Sequence, residues 1–148
     1  MKFMSDKAPK PVGAYPHARK EGNLLFLSGV GPRNKISNEI PGVDLDKDGN
    51  VISHDIEAQC HGVFNNIRNI LEESGSKWDN LVDVTVFLTD MQRDFDTYNR
   101  IYADYFTCPN DIHGPPHLCL KVIQNNKIQP NGIPSRTIQT YRSTSKVG

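Results

Sequence analysis

Three groupings in this 148-residue chain have residue types and spacings that do chemistry. The run PVGAYPHARKEGNLLFLSGVGPR, Pro11 to Arg33, sets Tyr15 and His17 before a short apolar stretch and follows it with Ser28, Gly29, Gly31 and Arg33. Glu21-Gly22-Asn23 supplies a hairpin bend, but nothing in sheet packing asks for the Ser-Gly-Val-Gly-Pro-Arg tail, which is suited to something other than a core. Asp44-Leu45-Asp46-Lys47-Asp48-Gly49, with Asp55 in twelfth place, nearly matches a calcium loop. That loop wants a bidentate glutamate at its end and an entering helix, which Pro41-Gly42 forbids, so a hairpin bent at Asp48-Gly49 between Val43 and Val51-Ile52 is the better reading. Cys108, His113, His117 and Cys119 resemble a zinc set, but intervals of four, three and one residues depart from paired ligand spacing, and no metal is expected. A thiol nucleophile is disfavoured too, because Cys60 falls on a buried helical stripe and no histidine is placed beside a cysteine.

The elements that must position these groups follow from periodicity. Leu24 to Leu27 is a continuous apolar run, a strand covered on both faces, preceded by a strand over Tyr15 to Arg19. Ile56, Cys60, Val63, Phe64, Ile67, Ile70 and Leu71 form one stripe of a helix capped by Ser53 or Asp55 and closed at Gly75. Leu81 to Thr89 alternates as a strand whose valine face meets the helices, while Phe87 among threonines suggests that its other face packs against another subunit. Phe95, Tyr98, Tyr102, Tyr105 and Phe106 form a second helical stripe, with Asn99 at its edge, and Leu118 to Ile123 supplies a further strand. Residues 1–10 read as a loose arm, Asn34 to Asp55 as a long excursion, Thr137 to Tyr141 as a short strand and Ser143 to Gly148 as a polar tail. The succession makes one α+β domain over 1–148, a mixed sheet with both helices on one face, irregular over 124–148.

Lysine plus arginine and aspartate plus glutamate both number 17, so no overall field draws the chain to nucleic acid or an anionic membrane. No apolar run approaches the roughly 20 residues of a membrane span, the N-terminus lacks a signal-peptide core, and three cysteines fit a reducing compartment, so the expected location is the cytoplasm.

The segments PVGAYPHA (11–18), LFLSGVGPR (25–33), DVTVFLTDM (83–91) and DFDTYNRIYADYF (94–106) resemble, in order and spacing over about residues 9–107, the RidA/YjgF family of imine and enamine deaminases. EIPGV after GPR is similar to the 2-aminomuconate deaminase subgroup. The resemblance implies a chorismate mutase-like α+β fold, a homotrimer with a central barrel, and clefts between subunits lined by Tyr15, Asn99 and the backbone from Ser28 to Gly31. It implies no cofactor. Gly29 and Gly31 would let the backbone approach a ligand, and arginine holds a carboxylate through two parallel hydrogen bonds.

The chain departs from the family where a Pro-x-Arg anchor is expected, reading Pro115-Pro116-His117, while Pro134-Ser135-Arg136 comes about twenty residues late and no glutamate follows Glu73. Three explanations stand open: an insertion that delivers Arg136, a substitution by His117, or a foreign C-terminal segment. The preferred reading is hydrolytic deamination of an enamine acid such as 2-aminomuconate, with Tyr15, Asn99 and Arg136 catalytic and Ser28, Gly29, Gly31, Arg33 and His117 binding substrate. The alternative is a trimeric small-molecule-binding or chaperone-like protein without turnover.

Overall fold

A computed structural model describes residues 1–106, 119–124 and 141–146, with side chains in the last two segments described only at Thr144 and Ser145. The chain folds as β1 (Lys2–Phe3), β2 (Ala18–Glu21), β3 (Leu24–Leu27), β4 (Val43–Leu45), β5 (Val51–His54), α1 (Ile56–Glu73), a 3-10 turn at Trp78–Asn80, β6 (Leu81–Leu88), α2 (Met91–Phe106), β7 (Cys119–Gln124) and β8 (Tyr141–Lys146). Six strands form one sheet in the order β1-β2-β3-β8-β6-β7, and β4 with β5 makes a separate hairpin. Among the described strands only β6 and β7 pair in parallel, as the α2 crossover between them requires. The mixed α+β arrangement with two helices packed on a sheet is as expected.

Local chemistry accounts for the best-defined elements. Asp55 caps α1 by accepting from the Glu57 and Ala58 amides. The helix ends where Gly75 takes a φ of +79° and the Ser76 amide reaches back to the Leu71 carbonyl. All seven residues of the expected α1 stripe are buried, together with Leu25, Leu27, Val84, Val86 and Leu88 from the sheet. Between Asp44 and Ser53 the chain is a hairpin: the Asp46 carboxylate accepts from the Asp48 and Asn50 amides, and Gly49 turns at φ +82°.

Five expectations are corrected. The first ten residues are not loose: Lys2 and Phe3 pair with Arg19 and Ala18, and Ser5 and Ala8 are buried. The strand expected over Tyr15 to Arg19 instead starts at Ala18, because Ser28 is already tied back to Pro16 and His17. Strand β3 is covered on one face only, with Leu24 and Phe26 38% and 46% exposed. In α2 the buried line runs through Asp94, Tyr98, Ile101 and Phe106, while Phe95 faces outward. Asp94 turns inward because His54 and Arg93 both reach its carboxylate, at 3.2 and 2.8 Å. Finally, the expected polar tail from Ser143 carries the second half of β8, a strand that lies between β3 and β6 with Ser145 opposite both Leu25 and Leu81. The zinc-like set, apart from the backbone of Cys119, lies outside the described residues, as do His117, Thr137 to Thr140 and Arg136.

Candidate functional site

The tail after β3 forms one wall of a cavity of about 180 Å³. Ala8 to Val12 close it on one side, Tyr15 and His17 on another, Ser28 to Gly31 and Arg33 on a third, and Asn66 and Ile70 of α1 from beneath. Each wall is held by specific bonds. The Ser28 amide donates to the His17 carbonyl at 2.9 Å and its hydroxyl to the Pro16 carbonyl at 2.6 Å, so the end of β3 is fastened to the segment that carries Tyr15. A Cβ on Gly13 would come within 2.9 Å of the Tyr15 ring, so glycine there leaves the ring its seat. Asn66, buried in α1, donates to the carbonyls of both Gly31 and Arg33 at 3.0 Å.

The N-terminal segment becomes a wall through a small polar network. Ser5 accepts from the Ala8 amide and donates to Glu73, and the Lys7 amide reaches the same carboxylate. The Glu73 carboxyl is held below its usual range, first by the Ser5 hydroxyl and then by the backbone amides of Lys7 and Asp6. The His17 ring accepts the Ser5 amide at Nδ1 and sits 2.8 Å from the Pro9 carbonyl at Nε2. An amide only donates and a carbonyl only accepts, so this geometry assigns the proton to Nε2 and commits the ring to holding the segment. The Arg33 guanidinium donates to the Lys10 carbonyl, closing the wall at its far end.

The cavity's electrostatics differ from those of the whole chain. Among the described residues its lining includes two cations, Lys10 and Arg33, and no aspartate or glutamate, in a chain whose formal charge is zero. Such a site favours a small anion that presents a carboxylate to the guanidinium. An open depression lined by Tyr15, Phe26, Leu27, Ser28 and Gly29 shares three of these residues with the cavity and carries the site onto the exposed face of β3.

The structure thus brings Tyr15, Ser28, Gly29, Gly31 and Arg33 together. Asn99 is exposed on α2, outside the lining of this chain's cavity, because the buried line of that helix runs through Tyr98 and Ile101; the cleft expected for it lies between subunits. His117 and Arg136 lie outside the described residues. Lys10, His17 as a wall residue, and Asn66 were missed. Asn66 carried a readable signal, a polar side chain three residues after Val63 and four before Ile70 on the buried face, whereas nothing in the polar N-terminal segment announced Lys10. Cys60 is fully buried, and burial followed by the nearby carboxylates of Asp94, Glu57 and Asp55 pushes its thiol up to about 12, which makes it a core residue.

Known proteins match this chain in sequence and in fold. The profile of the endoribonuclease L-PSP family (Ribonuc_L-PSP) matches residues 5–129. A RutC family protein of Pyrococcus abyssi is 39% identical over 104 residues, covering 70% of this chain and 72% of that protein. The chloroplastic Reactive Intermediate Deaminase A of Arabidopsis thaliana is 38% identical over 106 residues, which are 72% of this chain and 50% of its own length. The crystal structure of RidA from the Antarctic bacterium Psychrobacter sp. PAMC 21119 shares the fold with a TM-score of 0.75 at 24% identity, covering 99% of both chains. With a family profile matched from the Ser5 network to beyond β7, the chain belongs to the endoribonuclease L-PSP family, also known as the RidA/YjgF/RutC family.

Proposed function

We propose that this protein hydrolyses an imine or enamine acid to its keto acid and ammonia, with a dicarboxylate of the 2-aminomuconate kind as its substrate. The carrying observation is the cavity wall itself, in which Lys10 and Arg33 stand beside Tyr15 and the Gly29–Gly31 backbone with no opposing carboxylate among the described residues. An enamine that has tautomerised to the protonated imine is already electrophilic, so the site must hold the acid and orient water more than it must supply a nucleophile. Water adds its oxygen to the imine carbon and loses a proton, the nitrogen gains one, and the carbon–nitrogen bond breaks as the new hydroxyl gives up its remaining proton, leaving a carbonyl and ammonia that is released as ammonium. The Tyr15 hydroxyl is the group proposed to pass that proton, since the Ser28 hydroxyl is given to Pro16 and the His17 proton to Pro9.

The reading includes assembly. The exposed Leu24 and Phe26, continuous with the depression beside Tyr15, are the surface on which we place a second copy, in a trimer whose neighbour completes the cleft and brings it Asn99. The test is ammonia release from a freshly generated enamine, measured against its spontaneous decay. Acceleration that saturates with substrate supports the reading, while tight acid binding without acceleration turns it into the non-catalytic binding alternative.

A further inference from the structure

The geometry points to Asn66 as the positioning residue of the cavity, acting on a bound acid through Arg33. The inference rests on the reading of the cavity as a carboxylate site and deepens it.

Asn66 is 5% exposed and lies in the middle of α1, yet it spends its amide protons on another element. Both bonds leave the helix for alternate carbonyls of the Gly31–Arg33 stretch. One turn earlier, a Cβ on Gly62 would fall 2.8 Å from the Pro32 carbonyl oxygen and 3.2 Å from the Pro41 ring. Glycine at 62 therefore lets the helix backbone approach the loop, and Asn66 fixes the loop at that approach. The two devices address three consecutive peptide groups, so the Arg33 backbone has little freedom to turn about its axis. Its side chain leaves that fixed point along the cavity and meets the Lys10 carbonyl. A charged anchor must be held to within about half an ångström to favour one bound geometry, and here the hold comes from a helix, not from the loop itself.

A residue that merely glued helix to loop would cost the same whether or not Arg33 were present. A residue that works through Arg33 loses its effect when Arg33 is gone, and a double-mutant cycle separates the two. The full-length protein would be prepared as wild type, Asn66→Asp, Arg33→Ala and the double variant. Asn66→Asp keeps the shape and removes both donors. Two readouts are taken, affinity for the unreactive dicarboxylate muconate by calorimetric titration, and kcat/KM for ammonia release.

We expect Asn66→Asp to weaken muconate binding about tenfold when Arg33 is present and less than about twofold when it is alanine. Equal losses in both backgrounds, or no loss in a folded Asn66→Asp protein, overturn the inference. Should Asn66→Asp fail to fold, Gly62→Ala takes its place: it keeps the asparagine and favours the helix while pushing the loop away, and it must show the same dependence on Arg33. Coupling in the muconate cycle without any ammonia release would sink the deaminase reading and leave Asn66 in its role. Turnover with an additive cycle would do the reverse, and a wild type that binds no muconate overturns the inference outright.

Discussion

Ser5 and His17 face each other across the edge of the cavity, with the Ser5 amide donating to Nδ1 of the imidazole at 2.8 Å while Nε2 bonds the Pro9 carbonyl at 2.8 Å. One ring thus satisfies two backbone groups of the segment that supplies Ala8 to Val12 to the wall. Replacing His17 by alanine leaves both groups without their partner in a buried place. We expect a stability loss of about 2 kcal/mol by denaturant unfolding, and a KM that rises while kcat stays near wild type, because the ring shapes the wall without touching the reacting atoms. A variant as stable as the parent would show that the segment holds itself.

The same segment answers to acid through Glu73. Its carboxyl is held low in the folded protein by the Ser5 hydroxyl, so its contribution is present above the ordinary carboxylate range and is lost as pH falls through the depressed folded value. The Ala8 amide, bonded to Ser5, should therefore exchange faster than its intrinsic rate predicts as pH falls below the ordinary carboxylate value of 4.5. Glu73→Gln should abolish that pH dependence, and exchange that stays unchanged in the wild type would show that the carboxylate does not tether the segment.

Helix α1 was legible from the sequence because everything that defines it is local: a cap at Asp55, a period, a glycine at 75. Strand β8 was not. Its sequence, YRSTSK, has no apolar alternation, and its place between β3 and β6 is set by backbone pairing with partners more than fifty residues away. The N-terminal wall failed for a related reason, since Ser5, His17 and Glu73 are unremarkable until folding brings residue 73 to residue 5. In α2 the aromatic stripe was right at Tyr98 and Phe106 and wrong at its start, where Asp94 and not Phe95 is buried, because the pull of His54 and Arg93 on Asp94 is invisible in a periodicity. The site's backbone half, from Ser28 to Arg33, was readable precisely where the chain stopped obeying strand rules.

Cys60 should be chemically silent. Its thiol, pushed up to about 12, stays protonated across the range in which thiol reagents act. In a Cys108→Ser, Cys119→Ser background, folded protein at pH 8 should resist alkylation and react only on unfolding. The raised value also fixes a sign: above the ordinary thiol value of 9.0 the unfolded chain ionises and the folded one does not, so stability should fall as pH rises from there toward 12. Rapid labelling of the folded protein would contradict the packing of Cys60 in the core.

Phe26 tests the proposed assembly. Its side chain points away from the buried Leu25 and Leu27 and stands 46% exposed, so a charge there should leave the single chain folded. In an interface between copies the same charge would be buried without a partner, at a cost of several kcal/mol. Phe26→Glu should keep the helical circular dichroism of the parent while the mass by light scattering drops to that of one chain, and ammonia release should fall with it. An unchanged mass would place the contact between copies elsewhere.

On the proposed reading Lys10 and Arg33, which both line the cavity, divide a bound anion between them, and the division should appear in substrate choice. Arg33 is half-buried and offers a planar guanidinium, so Arg33→Ala removes an anchor worth about 2 kcal/mol, roughly thirtyfold in kcat/KM for any acid. Lys10 is exposed and offers a screened point charge worth under about 1 kcal/mol, so Lys10→Ala should cost a few-fold at most. A monocarboxylate engages Arg33 and has nothing left for Lys10, whereas a dicarboxylate engages both. The ratio of kcat/KM for a dicarboxylate imine to that for a monocarboxylate imine should therefore fall in Lys10→Ala and recover in Lys10→Arg. Added salt should erode the same ratio in the wild type, because the exposed cation is the one that screening reaches. If Lys10→Ala lowers both substrates equally, the lysine acts on the field of the cavity as a whole and the second carboxylate is held by another group.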